Sequence, residues 1–345
     1  MSGIAIYLGE RAIHWSAVII TMGALCALSL TLALYRQRSE KLIPVLALFT
    51  LGSVLGLFLA RLIHWYFNTE IYGSFAAAFT NFDLGSFSIP GVILGVWLAA
   101  WIVCKLGLCS DSGVLLDCAA PSMALLIAFI RLSALFNNTC RSRILIENPI
   151  FRRLPVAISN TDAAGNVVWR LATFFLAFLA MLLITWRVLS FYVDRGRKKM
   201  IHTCSRTGNV WRMFLVYYGA VEIVVDSLRN DSPLMHFHLL SALNQYSSFV
   251  SLAQIFAAAT ALYVLVYYSV RAIRRNGLKF WYVLDWLGFV VSLVGIGYLG
   301  EYKVQRTAQY FKCYSIQIVS CLCMVLVVSL MYRTCVSKRR RGPEW

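Results

Sequence analysis

Met123-Ala-Leu-Leu-Ile-Ala-Phe-Ile-Arg131-Leu-Ser-Ala-Leu-Phe-Asn-Asn138 is an apolar run interrupted by a single guanidinium near its outer end. Its length and hydrophobicity suit part of a membrane-crossing helix, which needs about 20 apolar residues. An arginine in hydrocarbon costs about 2.5–3.5 kcal/mol on insertion scales, so it tends to face a polar cavity or an anionic partner. Its fork is planar, permanently charged and suited to a phosphate. Two structural alternatives stand beside that reading. Arg131 could reach the interface as a snorkelling residue, or pair with Asp226.

The rest of the chain agrees with a membrane setting. Its 345 residues are 60% hydrophobic and 14% charged, and the mean hydropathy is +0.70. That excludes an ordinary soluble domain and predicts an all-α polytopic integral membrane protein, because only helices or closed barrels satisfy the backbone in lipid. The net charge of +17 sits in short loops beside spans, where it sets topology and meets lipid headgroups; no nucleic-acid partner is read from it. The first span is long and lacks a basic leader, so no cleavable signal is expected. Cys26, Cys118, Cys321 and Cys323 lie in apolar runs as small hydrophobes. Cys140 and Cys313 both fall in predicted outer loops, which leaves a disulfide between them open. No spacing predicts a metal site or a cofactor.

Nine spans are expected, at about 12–35, 43–67, 85–106, 113–136, 169–190, 211–228, 249–270, 280–299 and 314–332. Basic loops at Arg36 to Lys41, Arg195 to Arg206 and Arg271 to Lys279, with the tail Lys338 to Arg341, alternate with loops that are not strongly basic. The positive-inside rule then puts the N-terminus outside and the C-terminus in the cytoplasm. The segment 137–168 is expected outside despite Arg141, Arg143, Arg152 and Arg153. Gly52-Ser-Val-Leu-Gly56 and Gly91-Val-Ile-Leu-Gly95 place small residues four apart, which predicts close helix packing. Pro44 and Pro121 are expected near the starts of spans, and Pro90 deeper.

Several segments, taken in order, resemble the bacterial prolipoprotein diacylglyceryl transferase family. Ile13-His14-Trp15-Ser16-Ala17-Val18 is similar to its His-Trp-Tyr-Gly-Leu opening, and Leu59-Ala60-Arg61-Leu62 to Gly-Ala-Arg-Leu-Gly. Gly85-Ser-Phe-Ser88-Ile-Pro90-Gly91-Val-Ile-Leu-Gly95-Val96 tracks Gly-Gly-Met-Ser-Phe-His-Gly-Gly-Leu-Leu-Gly-Val. Leu116-Asp117-Cys118-Ala119-Ala120-Pro121 looks like Leu-Asp-Leu-Leu-Ala-Pro. Ile130-Arg131-Leu132-Ser133-Ala134-Leu135-Phe136-Asn137 follows Gly-Arg-Ile-Gly-Asn-Phe-Ile-Asn. Tyr218-Gly219-Ala220-Val221-Glu222, through Asp226 and Arg229, follows Tyr-Gly-x-Phe-Arg-x-x-x-Glu-x-x-Arg, and Ser251-Leu252-Ala253-Gln254 parallels Thr-Met-Gly-Gln.

The resemblance implies a seven-helix core over residues 1–270 with outer loop 137–168, and two added helices with a basic tail over 271–345. It implies an inner-membrane enzyme that moves a diacylglyceryl group from phosphatidylglycerol to the lipobox cysteine of a secreted lipoprotein precursor. Such a reaction needs a thiolate nucleophile and cations for the departing phosphate. By resemblance Arg131 is the phosphate clamp, Asn137 and Gln254 are polar lining, and Tyr218 adds a hydroxyl. Asp226 and Arg229 shape the outer mouth, and Arg61 joins the substrate-binding set.

The departures from the family are specific. Pro90 replaces the motif histidine and has no proton to exchange. Glu222 stands where the family has an arginine, and Thr139, Ala134 and Ser16 replace an acid, an asparagine and a tyrosine. The acid of Gln-Leu-Tyr-Glu falls near Arg170, so an Arg170–Glu222 charge swap is one expectation. His64, His236 and His238 are weak substitutes for the lost base. Asn137 and Asn230 fit a glycosylation pattern that means little in a bacterial-type chain. A non-catalytic protein binding a phospholipid or protein partner is the alternative, and a transporter ranks lowest because no inverted repeat is visible.

Overall fold

A computed structural model describes residues 4–8, 11–37, 41–67, 72, 74–80, 87–136, 141–161, 165–197, 207–229, 251–304, 306–307 and 309–336. Asn137, Thr139, Cys140, Asn230, His236, His238 and the basic tail lie outside the described residues.

The apolar runs form helices where they were expected. In chain order the helices are α1 (Trp15–Arg36), α2 (Ile43–Phe67), the short α3 (Phe75–Thr80), α4 (Ile89–Lys105) and α5 (Ser112–Ser133). Then come the single turn α6 (Pro149–Arg152), α7 (Thr173–Arg197), α8 (Asn209–Leu228), α9 (Leu252–Asn276), α10 (Phe280–Val294) and α11 (Tyr310–Val336). The protein is an all-α polytopic membrane protein. Among the described residues seven helices are long and apolar enough to cross a bilayer, including Phe280–Tyr302 and Tyr310–Cys335 at the C-terminal end. Helix α4 is as apolar but has 17 residues, and α8 carries Arg212, Glu222 and Asp226. Large side chains such as Leu57, Trp97, Leu183, Trp186 and Leu322 remain exposed on these helices, as lipid-facing residues should.

Several span boundaries differ from the sequence expectation, and at three helix starts a competing local structure explains the shift. Arg11–His14 is strand β2, paired antiparallel with β1 (Ile4–Leu8), so the first helix starts at Trp15 rather than 12. Val167–Leu171 is strand β4, paired in register with β3 (Ala157–Thr161), and α7 starts at Thr173 rather than 169. Val167, Val168 and Trp169 are β-branched or aromatic and hold a ladder better than a helix start. The seventh helix starts at Leu252 because Ser251 and Gln254 form a reciprocal capping box, which satisfies two orphan donors.

The prolines also differ. Pro121 lies inside α5, whereas Pro90 sits in the first turn of α4, where a missing N–H has no helical partner to lose. The small-residue motifs pack as expected. Gly91 lies against the backbone of Leu59 and Ala60, and Gly95 against that of Leu55 and Gly56, so α2 and α4 touch main chain to main chain.

Helix α8 joins two apolar clusters. On one side Phe214 and Tyr218 meet Met123 and Ile127 of α5 and Met181 and Val188 of α7. On the other, Val216 and Ile223 meet Ala257 and Val264 of α9 and Met324 and Val328 of α11. The C-terminal helices therefore pack directly onto the segments that carry the motif residues.

Candidate functional site between α5 and α8

The register of α8 against α5 is fixed at both ends. At one end Asp117 of α5 accepts from the backbone N–H of Gly208 at 2.9 Å, Val210 at 2.8 Å and Trp211 at 3.1 Å. These are the orphan donors of the first turn of α8, so Asp117 acts as a cap supplied by another helix. Gly208 makes the turn with φ +85°, a conformation that glycine adopts without a Cβ clash. At the other end Arg131, in the last turn of α5, forms an ion pair with Glu222 of α8, and both side chains are buried.

Tyr218, Glu222 and Asp226 follow one another at single-turn spacing on α8, so they share a face. All three are buried. Asp226 accepts from Arg229 at 3.3 Å. The Arg229 side chain is 16% exposed, so burial eases towards this end of the face. Among the described residues, Glu222 Oε2 and the Tyr218 hydroxyl have no hydrogen-bond partner.

The segments 141–161 and 165–171 roof the end of α8. Ser142 pairs with Arg229 as a β-bridge, its hydroxyl donates to Leu228 O at 3.1 Å, and Arg143 Nε donates to Arg229 O at 2.9 Å. Arg170 donates to Ser142 O at 3.1 Å. The expected Arg170–Glu222 pair is therefore not formed. Arg170 is held in the hairpin β3–β4, and the carboxylate takes Arg131 instead.

Gln254 borders α8 from the first turn of α9. Its side chain accepts from Ser251 N at 3.0 Å and donates to Ile223 O at 3.3 Å and Glu301 Oε2 at 2.9 Å. Glu301 lies in the π-helical turn Gly295–Tyr302 that continues α10 and also accepts from Gln317 of α11 at 3.3 Å. Tyr314 of α11 donates to Ser227 O at 3.1 Å. The C-terminal helices thus reach the motif residues through Glu301 and Tyr314. The span expected over 280–299 stops short of Glu301, because the three glycines Gly295, Gly297 and Gly300 hide the helical turn that buries it.

Arg61 has a different setting. It donates to Ala78 O at 2.6 Å and to the Tyr72 hydroxyl at 3.1 Å, and its guanidinium lies 5.2 Å from the centre of the Phe87 ring. The Tyr72 hydroxyl also meets His64 Nδ1 at 2.6 Å. The partners described for Arg61 come from α3 and its flanks and not from α5 or α8, so the structure does not join it to the Arg131 group by these contacts.

A buried arginine beside a tyrosine, two carboxylates and a second arginine, closed by a basic hairpin, matches the order of motifs along the chain. A model of the prolipoprotein diacylglyceryl transferase family matches residues 3–267. The chain belongs to that family. A phosphatidylglycerol–prolipoprotein diacylglyceryl transferase of Lactococcus lactis subsp. lactis (strain IL1403) is 25% identical over 235 residues, covering 68% of this chain and 85% of the relative. One of the same description from Streptococcus pneumoniae (strain JJA) is 27% identical over 245 residues, with 68% and 85% covered. In this family member the two helices after residue 267 contribute a buried acid to the motif region. The reading of Glu222 as a charge reversal gains a structural meaning: the carboxylate engages the arginine that the resemblance casts as the clamp. Asp117 was legible as a motif residue, but its role as a cap was not. Its three donors come from residues 208–211, about 90 positions away.

Proposed function

We propose that this chain is a diverged diacylglyceryl transferase working on a membrane phospholipid. The donor named in its relatives' descriptions is phosphatidylglycerol, and the acceptor would be the lipobox cysteine of a secreted precursor. The thiol sulfur forms a C–S bond to the lipid glycerol carbon, and the C–O bond to phosphate breaks with its electron pair leaving on oxygen. The thiol proton ends on the released phosphomonoester or in water. The observation that carries this reading is the buried Arg131–Glu222 pair with Tyr218, Asp226 and Arg229 along one face of α8. Donors and cations fixed in a dry site stabilise developing phosphate charge with little reorganisation. Asn137 is proposed to extend the polar lining, and Gln254 to border it. Residues 1–270 would form the catalytic core and 271–345 an added packing unit. The positive-inside pattern supports a multi-pass protein of the bacterial inner membrane with its N-terminus outside and its C-terminus in the cytoplasm.

Pro90 and the engaged Arg131 favour one second reading, a family member that binds a phospholipid or a protein partner without turnover. Complementation separates the two. In cells depleted of their own transferase, the wild-type chain should restore lipoprotein maturation and Arg131→Ala should not, at matched membrane levels. Failure of the wild-type chain when correctly inserted would reject the transferase reading and leave the binding one.

A further inference from the structure

Glu222 is not a spent counter-ion. One carboxylate oxygen engages Arg131, while Oε2 has no partner among the described residues. One turn away the Tyr218 hydroxyl is fully buried and likewise has none. Buried polar atoms are rarely left unmatched in native proteins, and an exception points to an absent water, ion or ligand. Because residues four apart on a helix face the same way, one ligand group can meet both atoms. Oε2 can only accept, so the group must bring a hydrogen to it.

Charge narrows the class further. Arg131 balances Glu222, and Arg229 balances Asp226, so these four residues are neutral together. Arg143 and Arg170 of the roofing segments add positive charge at the Arg229 end, where the phosphate common to all phospholipids can sit. The choice between lipids then lies at the far end of the headgroup, where an ammonium brings both hydrogens and an opposite charge to Glu222 and a neutral hydroxyl brings only a hydrogen. The family motif has a cation at this position and serves an anionic lipid, whereas this chain has an anion. Complementarity then asks for a ligand whose charge is reversed at the same place. We infer that the site between α5 and α8 selects a zwitterionic phospholipid whose primary ammonium donates to Glu222 Oε2, with its phosphate towards the partly exposed Arg229. This rests on the phospholipid-donor reading above and deepens it. The released fragment would be an amino-alcohol phosphate in place of glycerol phosphate, with the same C–S bond made and C–O bond broken.

The test uses the full-length chain, purified and equilibrated with vesicles containing equal phosphatidylethanolamine and phosphatidylglycerol. Retained lipid is then counted by native mass spectrometry. One charge-assisted hydrogen bond predicts a preference for the ethanolamine lipid of about tenfold or more. Glu222→Gln should level the preference, and Glu222→Arg should turn it towards phosphatidylglycerol. Equal retention by the wild type, an excess of phosphatidylglycerol, or retention of neither lipid overturns the inference without reference to any variant. A parallel transfer assay with a lipobox peptide keeps the two readings apart. Ethanolamine-lipid retention with no thioether product removes the transferase reading alone. Thioether formed from phosphatidylglycerol at a rate equal to that from the ethanolamine lipid removes this inference alone.

Discussion

Removing one member of the Arg131–Glu222 pair tests the site's architecture most directly. Both side chains are almost wholly buried, at 4% and 3% exposure, so neither charge can return to water without opening the contact between α5 and α8. Arg131→Met leaves a buried carboxylate without its cation, and Glu222→Leu leaves a buried guanidinium without its anion. Each single change should cost about 3–5 kcal/mol, most of it the penalty on the stranded charge. The double change strands nothing and fills the space with apolar atoms, so it should recover most of that loss. The assay is SDS-driven unfolding in mixed micelles, followed by tryptophan fluorescence, for the wild type, both singles and the double. A coupling of at least 2 kcal/mol is expected on this basis. Additive losses, or singles costing less than about 1 kcal/mol, would refute the buried pair. The same cycle on Arg170 and Glu222 supplies the contrast. Arg170 donates to Ser142 O, so Arg170→Glu with Glu222→Arg should show no rescue.

Other positions give sharp expectations. Asp117→Asn sets an amide N–H₂ against one of the three backbone donors that the carboxylate now accepts, and should cost about 1–3 kcal/mol. Faster hydrogen exchange at residues 208–211 is the readout, and unchanged protection would count against the cap. Gly95→Val drives a side chain into the Gly56 backbone, whereas a Cβ at Gly52 meets Val96 at an ordinary 3.6 Å. The first should therefore cost about 1–3 kcal/mol or more, and Gly52→Ala little; equal unfolding midpoints would disprove the main-chain contact. Glu301→Leu removes the single oxygen to which the Gln254 and Gln317 amides both donate. It should lower stability by about 1–3 kcal/mol, and a neutral result would show that the π-helical turn does not anchor α9.

The long helices were legible because lipid demands about 20 apolar residues and allows no half-measures. Boundaries failed where a second device competed with hydropathy. Strand pairing claimed Arg11–His14 and Val167–Leu171, and the Ser251–Gln254 capping box stopped α9 from starting earlier. Gly91 and Gly95 could be read as a packing face because four-residue spacing has one helical meaning. Arg131, Tyr218, Asp226 and Arg229 came from motif order, and they meet through α5 and α8. The partner of Glu222 did not come from the sequence. Arg170 and Arg131 were both cations of the right sign, and only the hairpin that occupies Arg170 decides between them.

The C-terminal pair of helices acquires a reason from the same contacts. A family core ending near residue 267 would leave the α9 and α8 faces bearing Ala257, Val264 and Ile223 to lipid, which covers apolar atoms without cost. Lipid cannot, however, answer the second amide bond of Gln254. That group already serves the helix cap and the Ile223 carbonyl, and its remaining demand is met by Glu301. An acid in hydrocarbon is expensive unless it is fully engaged. Glu301 reaches Gln254 and Gln317 from the π-helical turn Gly295–Tyr302, a deviation that is common near functional sites. Packing alone would have been served by an ordinary α-turn with an apolar residue there. The retained acid and the widened turn together argue that these helices hold the ends of α8 and α9 in register, and with them the face that carries Tyr218, Glu222 and Asp226.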